Sequence, residues 1–328
     1  MSAASLWLKP FPDSMITDNN KKLLTLRKLD QVGPAALRKI TADPDFESSS
    51  IPQLALRHDK VGKALAEDGA LEEATLAAEK AVAALESMGA TLLSELDGHY
   101  PQLLRDAPER PFFLAYLGNL PSTQKTVAVI GTRQPTAHGA IIAERVTAYF
   151  AEKGWSIVSG LALGCDAIAH RAALDCGAHT VAVLAHGLHT IAPKSHESLA
   201  ERILTNGGAL VTEFVFGEDP IPRHFATRDK TQSGMSRGVI MIQSDLIGGS
   251  LHASRASLSY GRILAVPAVT ERDLANQEPK AEANKVLVNG SESIKLALSK
   301  CKPTELKGLF AIRSKADYGT LEHMLLPN

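Results

Sequence analysis

Apolar positions change their period twice along this chain. From 21 to 88 they recur at helical intervals, first at Leu23, Leu26 and Leu29 to Leu37, then through an Ala-, Glu- and Leu-rich stretch between Leu65 and Leu85. Over 89–125 that period breaks. Tyr100-Pro101, Pro108, Pro111 and Gly118-Asn-Leu-Pro121 space prolines too closely for a long helix and predict a connector. Beyond it, short continuous apolar runs alternate with amphipathic ones. The runs predict strands at 126–131, 155–159, 180–184, 209–213, 238–243 and 263–266. Helices are predicted at 137–153, 166–176, 197–205 and 251–260, and 214–229 reads as a loop. Strands alternating with helices of this length indicate βαβ units, hence an α/β domain on a doubly wound, mainly parallel sheet. Runs such as Val127-Ala-Val-Ile130 suit strands buried on both faces.

The expected organisation follows. Residues 1–20, with Pro10, Pro12 and the polar Asp18-Asn-Asn20, read as a flexible leader. Residues 21–88 form a small all-helical domain, and 89–300 hold the connector and the α/β domain. Residues 301–328 read as a tail too short to fold by itself. Inside the helical part, Leu29-Asp-Gln-Val-Gly-Pro-Ala-Ala-Leu-Arg-Lys-Ile40 resembles half of a helix-hairpin-helix, with Gln31 where that motif has its first glycine. It reads either as an ordinary packing unit or as a phosphate contact through Gly33 and Arg38.

Glycine marks the handover from strand to helix at Gly131-Thr-Arg133, at Ser159-Gly-Leu-Ala-Leu-Gly-Cys-Asp166 and at Gly248-Gly-Ser250. Such turns leave backbone N–H groups free at a helix start, which suits an anion. If the strands are parallel, 131–133, 160–166 and 248–250 line one cleft, and phosphate means nucleotide or nucleic acid. Arg133 can fork two donors onto a phosphate; the alternative is a surface charge beside a simple turn. Gly160 and Gly164, on either side of Ala162, permit close backbone approach. Asp166 reads equally as a helix N-cap or a ligand contact. His170, one turn on, reads as a packed residue beneath the cleft. Ser159, His170 and Asp166 do not make a convincing triad, because Ser159 lacks the G-x-S-x-G elbow. In Pro220-Ile-Pro-Arg-His-Phe-Ala-Thr-Arg-Asp-Lys230, Arg223, His224, Arg228 and Lys230 surround Phe225. Cations around an aromatic suit single-stranded nucleic acid, whose bases stack while its backbone pairs. A solvated loop with Phe225 in the core is the other reading.

Composition narrows the chemistry mainly by exclusion. The 328 residues are 45% hydrophobic and 22% charged, with a formal net charge of −1, so a nucleic-acid site must be a local patch. Cys165, Cys176 and Cys301 form no C-x-x-C pair, and no metal or cofactor is expected. G-x-x-x-x-G-K-[ST], G-x-G-x-x-G after the first strand and H-E-x-x-H are all missing from the sequence. No apolar run approaches a membrane span and no secretion signal opens the chain, so a cytoplasmic protein is expected.

Taken in order and spacing, these segments resemble the bacterial DNA-processing protein A family (DprA, also called Smf) over roughly residues 90–295. Gly131-Thr-Arg-Gln-Pro-Thr-Ala-His-Gly139 resembles the family's G-S-R-x-x-[ST]-x-x-G. Ser159 to Leu174 follows S-G-x-A-x-G-I-D-x-x-A-H-x-x-A-L, and Thr180-Val-Ala-Val-Leu184, Gly248-Gly-Ser-Leu251 and Gly261-Arg-Ile-Leu-Ala-Val-Pro267 match further motifs. The resemblance implies an extended Rossmann-like domain behind a SAM- or helix-hairpin-helix-like one. It also implies binding of single-stranded DNA, a homodimer, and handover of the strand to a RecA-type recombinase in transformation or repair, without catalysis. Mapped by motif, the contacts are Gly131, Thr132, Arg133, Phe225, Arg228 and Lys230, with Gly160, Ala162 and Gly164 in one loop and Gly249 and Ser250 in another.

Departures from the family are local. Where it has F-P-x-R-N-R, this chain has Phe225-Ala-Thr-Arg-Asp-Lys230. Lys230 loses an arginine's fork, and Asp229 places a carboxylate in the expected groove. Gln243 replaces a strand-end glutamate, and the winged helix that many members carry is not expected in the 301–328 tail. Two rival readings remain: a nucleotide-binding enzyme or sensor of the phosphoribohydrolase-like group, whose P-G-G-x-G-T-x-x-E is missing here, and an interaction protein with a vestigial cleft.

Overall fold

The computed structural model describes residues 16–214 and 216–326, and its compact parts are two. One comprises the described residues up to 100 together with 111–117. The other comprises 101–110 and everything from 118 onward.

The first unit is built on five helices: α1 (Asp18–Lys28), α2 (Pro34–Thr41), α3 (Ile51–Ala55), α4 (Asp59–Ala64) and α5 (Ala70–Ser87). Leu23, Leu26, Leu37, Ile40, Leu54 and Val61 are among its buried apolar residues. Thr17 caps α1 by accepting from the Asn20 N–H at 3.2 Å, and Asp18 faces the positive end of the helix dipole. Asp18-Asn-Asn20 are therefore the first turn of a helix, which corrects the leader reading for those residues; 1–15 lie outside the described residues. Between α1 and α2, Gln31 holds φ at 57°, the left-handed conformation that glycine supplies in a helix-hairpin-helix turn. Arg38 is not directed at a ligand, because its Nε and Nη2 fork onto Glu95 at 2.9 Å. Strands β1 (Thr91–Ser94) and β2 (Phe113–Gly118) pair antiparallel, Thr91 opposite Tyr116, in the stretch expected to be a connector.

The second unit opens with the short α6 (Gln102–Arg105) and then alternates strand and helix: β3 (Thr126–Ile130), α7 (Ala137–Glu152), β4 (Ser156–Ser159), α8 (Cys165–Asp175), β5 (Thr180–Val183), α9 (Glu197–Thr205) and β6 (Ala209–Thr212). It continues with α10 (Pro222–Gly234), β7 (Gly238–Met241), α11 (Ser250–Ser259), β8 (Ile263–Pro267), α12 (Glu271–Ala275), α13 (Glu282–Asn289), α14 (Glu292–Ser299), β9 (Leu309–Ile312) and α15 (Asp317–Leu325). Its strands run in the order β6-β5-β4-β3-β7-β8-β9, each neighbouring pair parallel. The expected doubly wound sheet is present. Ala128 sits opposite Val158 on one side and Val239 on the other, so β3 is the strand at which the winding reverses. In such sheets the crevice for ligands opens at the carboxyl ends of the strands flanking that point.

Two expectations fail here. Residues 214–229 are not all loop, since α10 begins at Pro222. Its buried face is made of His224, Arg228, Asp229, Thr231, Gln232 and Ser233, so no apolar period betrays the helix. The tail is not appended either. β9 extends the sheet beside β8, and Tyr318, Leu321 and Leu325 of α15 pack into the cluster containing Phe150 and Trp155. Glu322 accepts from the Tyr149 hydroxyl at 2.9 Å and from the Trp155 indole at 3.3 Å. Among the described residues no helix is long and apolar enough to cross a membrane.

Candidate nucleic-acid interface

A cleft of about 510 Å³ opens at the carboxyl ends of β3 and β7, at the reversal point of the sheet. Gly131, Thr132 and Arg133 line it from the β3–α7 loop, Ala162 and Leu163 from the β4–α8 loop, and Gly249 and Ser250 from the start of α11. Phe225, Arg228, Asp229 and Gln232 of α10 complete its wall. Most of the residues singled out in the sequence are thus brought together.

Close contacts between the loops explain the glycines. A Cβ on Gly131 would stand 2.6 Å from Cys165 Sγ, and one on Gly164, whose φ is +76°, would stand 2.4 Å from the Thr132 carbonyl oxygen. The first two loops are pressed together, with the Cys165 N–H donating to the Thr132 carbonyl at 3.2 Å. Gly160 serves a different neighbour. A Cβ there would overlap Arg228 Nη1 at 1.4 Å, so glycine is required by an internal guanidinium. Gly160 lines an adjoining cavity of about 250 Å³ with His186, Pro193 and Pro220, on which Arg133, Phe225 and Arg228 also border.

Charge is distributed unevenly. Arg133 is exposed, with its guanidinium carbon 5.3 Å from the centre of the half-buried Phe225 ring. Arg228 is 5% exposed and stands between two carboxylates, Asp166 at 3.6 Å and Asp229 at 3.4 Å. This corrects the expectation that Arg228 is a free phosphate donor, since most of its charge is already answered. Burial raises the pKa of both acids against the pull of Arg228. For Asp229 the balance lands at about 7, with Asp166 adding repulsion and Arg133 opposing it. Asp166 is not an N-cap: Gly164 holds that position, and the Asp166 carboxylate instead accepts the Ala162 N–H at 3.3 Å. Lys230 does not line the cleft. Two positions beyond Arg228 it points elsewhere around α10 and pairs with Glu109. The cleft therefore has Arg133 as an exposed cation, and the half-buried Lys280 as a second cation that no motif signals. Lys280 lines the far side and donates to Asp245 at 2.7 Å.

Gln243, where the family has glutamate, holds the first loop in place. Its backbone carbonyl accepts the Thr132 N–H at 2.8 Å, and its Oε1 accepts the Thr136 N–H at 2.9 Å. Its Nε2 donates to Thr136 Oγ1 at 3.0 Å and to Asp273 Oδ2 at 3.2 Å. An amide fits here because Asp273 faces it. Arg262, in the Gly-Arg motif before β8, is structural. Its Nη1 donates to the carbonyls of Ser233, Gly234 and Ser236 and its Nη2 to that of Leu103, closing the end of α10.

Hydrolase-like residues are otherwise engaged. The Ser159 hydroxyl is buried and donates to the Val129 carbonyl at 2.7 Å. His170 is fully buried, with Nδ1 bonded to Thr180 Oγ1 at 2.8 Å. That hydroxyl donates to the Ile157 carbonyl, so Nδ1 carries the proton. Burial holds the His170 pKa down near 3, so the ring stays neutral.

Known proteins supply the remaining context. The family model described as DNA recombination-mediator protein A matches residues 91–296. Protein Smf of Escherichia coli is 39% identical over 170 residues, 51% of this chain and 45% of that protein, so the match spans less than half of the relative. The X-ray structure of DNA processing protein A from Streptococcus pneumoniae superposes with a TM-score of 0.68 at 25% identity, covering 93% of this chain and 98% of that one. DNA processing protein A from Helicobacter pylori, whose structure is described in terms of its single-stranded DNA binding mode, gives a TM-score of 0.53 at 26% identity over 65% of this chain and 97% of that one.

Proposed function

The chain belongs to the DNA recombination-mediator protein A family, and we propose that it binds single-stranded DNA in the cleft at the sheet's reversal point and acts without catalysis. The observation that carries this reading is the grouping of Arg133, Phe225 and the glycine loops around one open cleft. An exposed guanidinium beside a half-buried ring serves a single strand's two faces, phosphate and base. A duplex offers its bases no such access.

In this reading Arg133 and Lys280 meet backbone phosphates, Phe225 stacks a base, and the loop N–H groups near Ala162 and Ser250 supply neutral donors. Arg228 forms part of the cleft wall beside Phe225. The protein works in the cytoplasm as a homodimer and passes the strand to a RecA-type recombinase during transformation or repair. Catalysis has no support in Ser159 and His170, because the Ser159 hydroxyl is spent on the Val129 carbonyl and the buried His170 ring is held by Thr180.

A labelled single strand titrated across a salt series tests the proposal. Expected is binding that weakens as salt rises, because each neutralised phosphate releases counterion. Parallel incubation with nucleoside monophosphates should leave them intact; release of free base would replace this reading with the nucleotide-enzyme one.

A further inference from the structure

Asp229 stands out in the cleft. It is 8% exposed, lines the cleft wall, and accepts no hydrogen bond among the described residues. Its one close partner is Arg228, at 3.4 Å, beyond a good hydrogen bond. Asp166, on the other side of the same guanidinium, does accept a backbone N–H. A carboxylate this deep normally collects donors from the protein; Asp229 instead keeps 11% side-chain exposure at the cleft wall, where a ligand can supply them.

Its position on α10 says what kind of ligand. Asp229 follows Phe225 by four residues, so the two share one face of the helix, one turn apart, and both line the cleft. A base stacked on Phe225 presents an edge one turn deeper, where Asp229 sits. An ionised carboxylate only accepts, through two oxygens. Guanine answers with two adjacent donors on its Watson–Crick edge, N1–H and the 2-amino group. Adenine and cytosine offer one amino group beside an acceptor, and thymine one N–H between two carbonyls. Asparagine, which the family pattern has at this position, carries a donor beside its acceptor and lacks that bias.

The geometry points to Asp229 as a base reader that makes this cleft prefer single strands bearing guanine. The inference rests on the single-strand reading above and adds a sequence preference to it. Charge-assisted pairs of this kind are short and strong, and a bidentate one discriminates well between bases.

The test uses the full chain at pH 8, above the value of about 7 to which burial pushes Asp229. Labelled oligothymidine is compared with the same strand carrying one isolated deoxyguanosine or one deoxyinosine, which keeps N1–H and lacks the 2-amino group. Expected is about tenfold tighter binding with guanine than with thymine alone, an intermediate value with inosine, and a guanine-to-thymine ratio near one in Asp229→Asn. Equal affinity for the three strands, or a guanine preference that survives Asp229→Asn, overturns the base reader and leaves single-strand binding standing. Failure of every strand to bind overturns both.

Discussion

Gln243→Glu exchanges one nitrogen for an oxygen and restores the residue that the family pattern has at the end of β7, yet in this chain it should be harmful. Nε2 now donates to Asp273 Oδ2 at 3.2 Å and to Thr136 Oγ1 at 3.0 Å, inside a site where Gln243 is 4% exposed. In the variant two carboxylates face each other across that 3.2 Å gap. With an effective dielectric of ~20 the repulsion is ~5 kcal/mol, an upper limit that proton uptake and side-chain movement reduce; a loss of ~2–3 kcal/mol is the working expectation. Chemical denaturation at pH 7.5 measures it. Binding should fall too, since repulsion that drives the 243 side chain away from Asp273 also moves the Oε1 that accepts the Thr136 N–H in the Arg133 loop. Two controls separate this cause from simple misfolding. Lowering the pH to 5 should return part of the stability, because one proton shared by the pair removes the repulsion. Adding Asp273→Asn should bring the loss below ~1 kcal/mol. A Gln243→Glu protein as stable as its parent at pH 7.5, or one that Asp273→Asn makes worse, refutes the argument.

Three further outcomes follow. Asp229→Asn should stabilise the fold at pH 8 and not at pH 4: a carboxyl raised from 3.8 to about 7 in the native state loses stability as pH rises through that interval, up to ~4 kcal/mol at ~1.4 kcal/mol per tenfold in acidity. Parallel unfolding curves at the two pH values read this, and equal gains at both would contradict it. Arg133→Ala should weaken single-strand binding and flatten its salt dependence by ~0.7 in log–log slope, whereas Lys230→Ala should change neither, because that ammonium is paired with Glu109 outside the cleft; a matching loss from Lys230→Ala would place it on the strand after all. Arg262→Lys should cost ~1–3 kcal/mol, since one ammonium cannot meet four carbonyls on Ser233, Gly234, Ser236 and Leu103, and an unchanged thermal midpoint would show that these bonds do not hold the end of α10.

Legibility in the sequence tracks the source of each element's stability. β3 to β8 announce themselves because strands buried on both faces need uninterrupted apolar runs. α10 stays hidden because the face it buries is polar: Arg228, Asp229, Thr231, Gln232 and Ser233 take the place of an apolar stripe. That difference changes the site, for on a loop Arg228, Asp229 and Lys230 look equivalent, and on a helix they diverge. β9 and α15 give no clear signal, since four residues and a few apolar side chains acquire meaning only when a sheet edge is there to receive them. Gly160 is recognisable as special from the sequence but for an incomplete reason, the decisive neighbour being Arg228, 68 positions away. Lys280 and Asp273 carry no local signal at all; only the folded chain brings them to the β7 end.

The central claim is that this cleft takes a strand whose bases are free. Phe225→Ala tests it most directly, with the affinity of one labelled oligonucleotide measured single-stranded and then annealed to its complement. The ring is half-buried, lies within 6 Å of the Arg133 and Arg228 guanidinium carbons and is the cleft's aromatic surface. The account predicts a parent protein that binds the single strand far more tightly than the duplex, and a variant that loses ~1–3 kcal/mol on the single strand with duplex binding unchanged. Equal affinity of the parent protein for both forms, or an equal loss on both in Phe225→Ala, would contradict it.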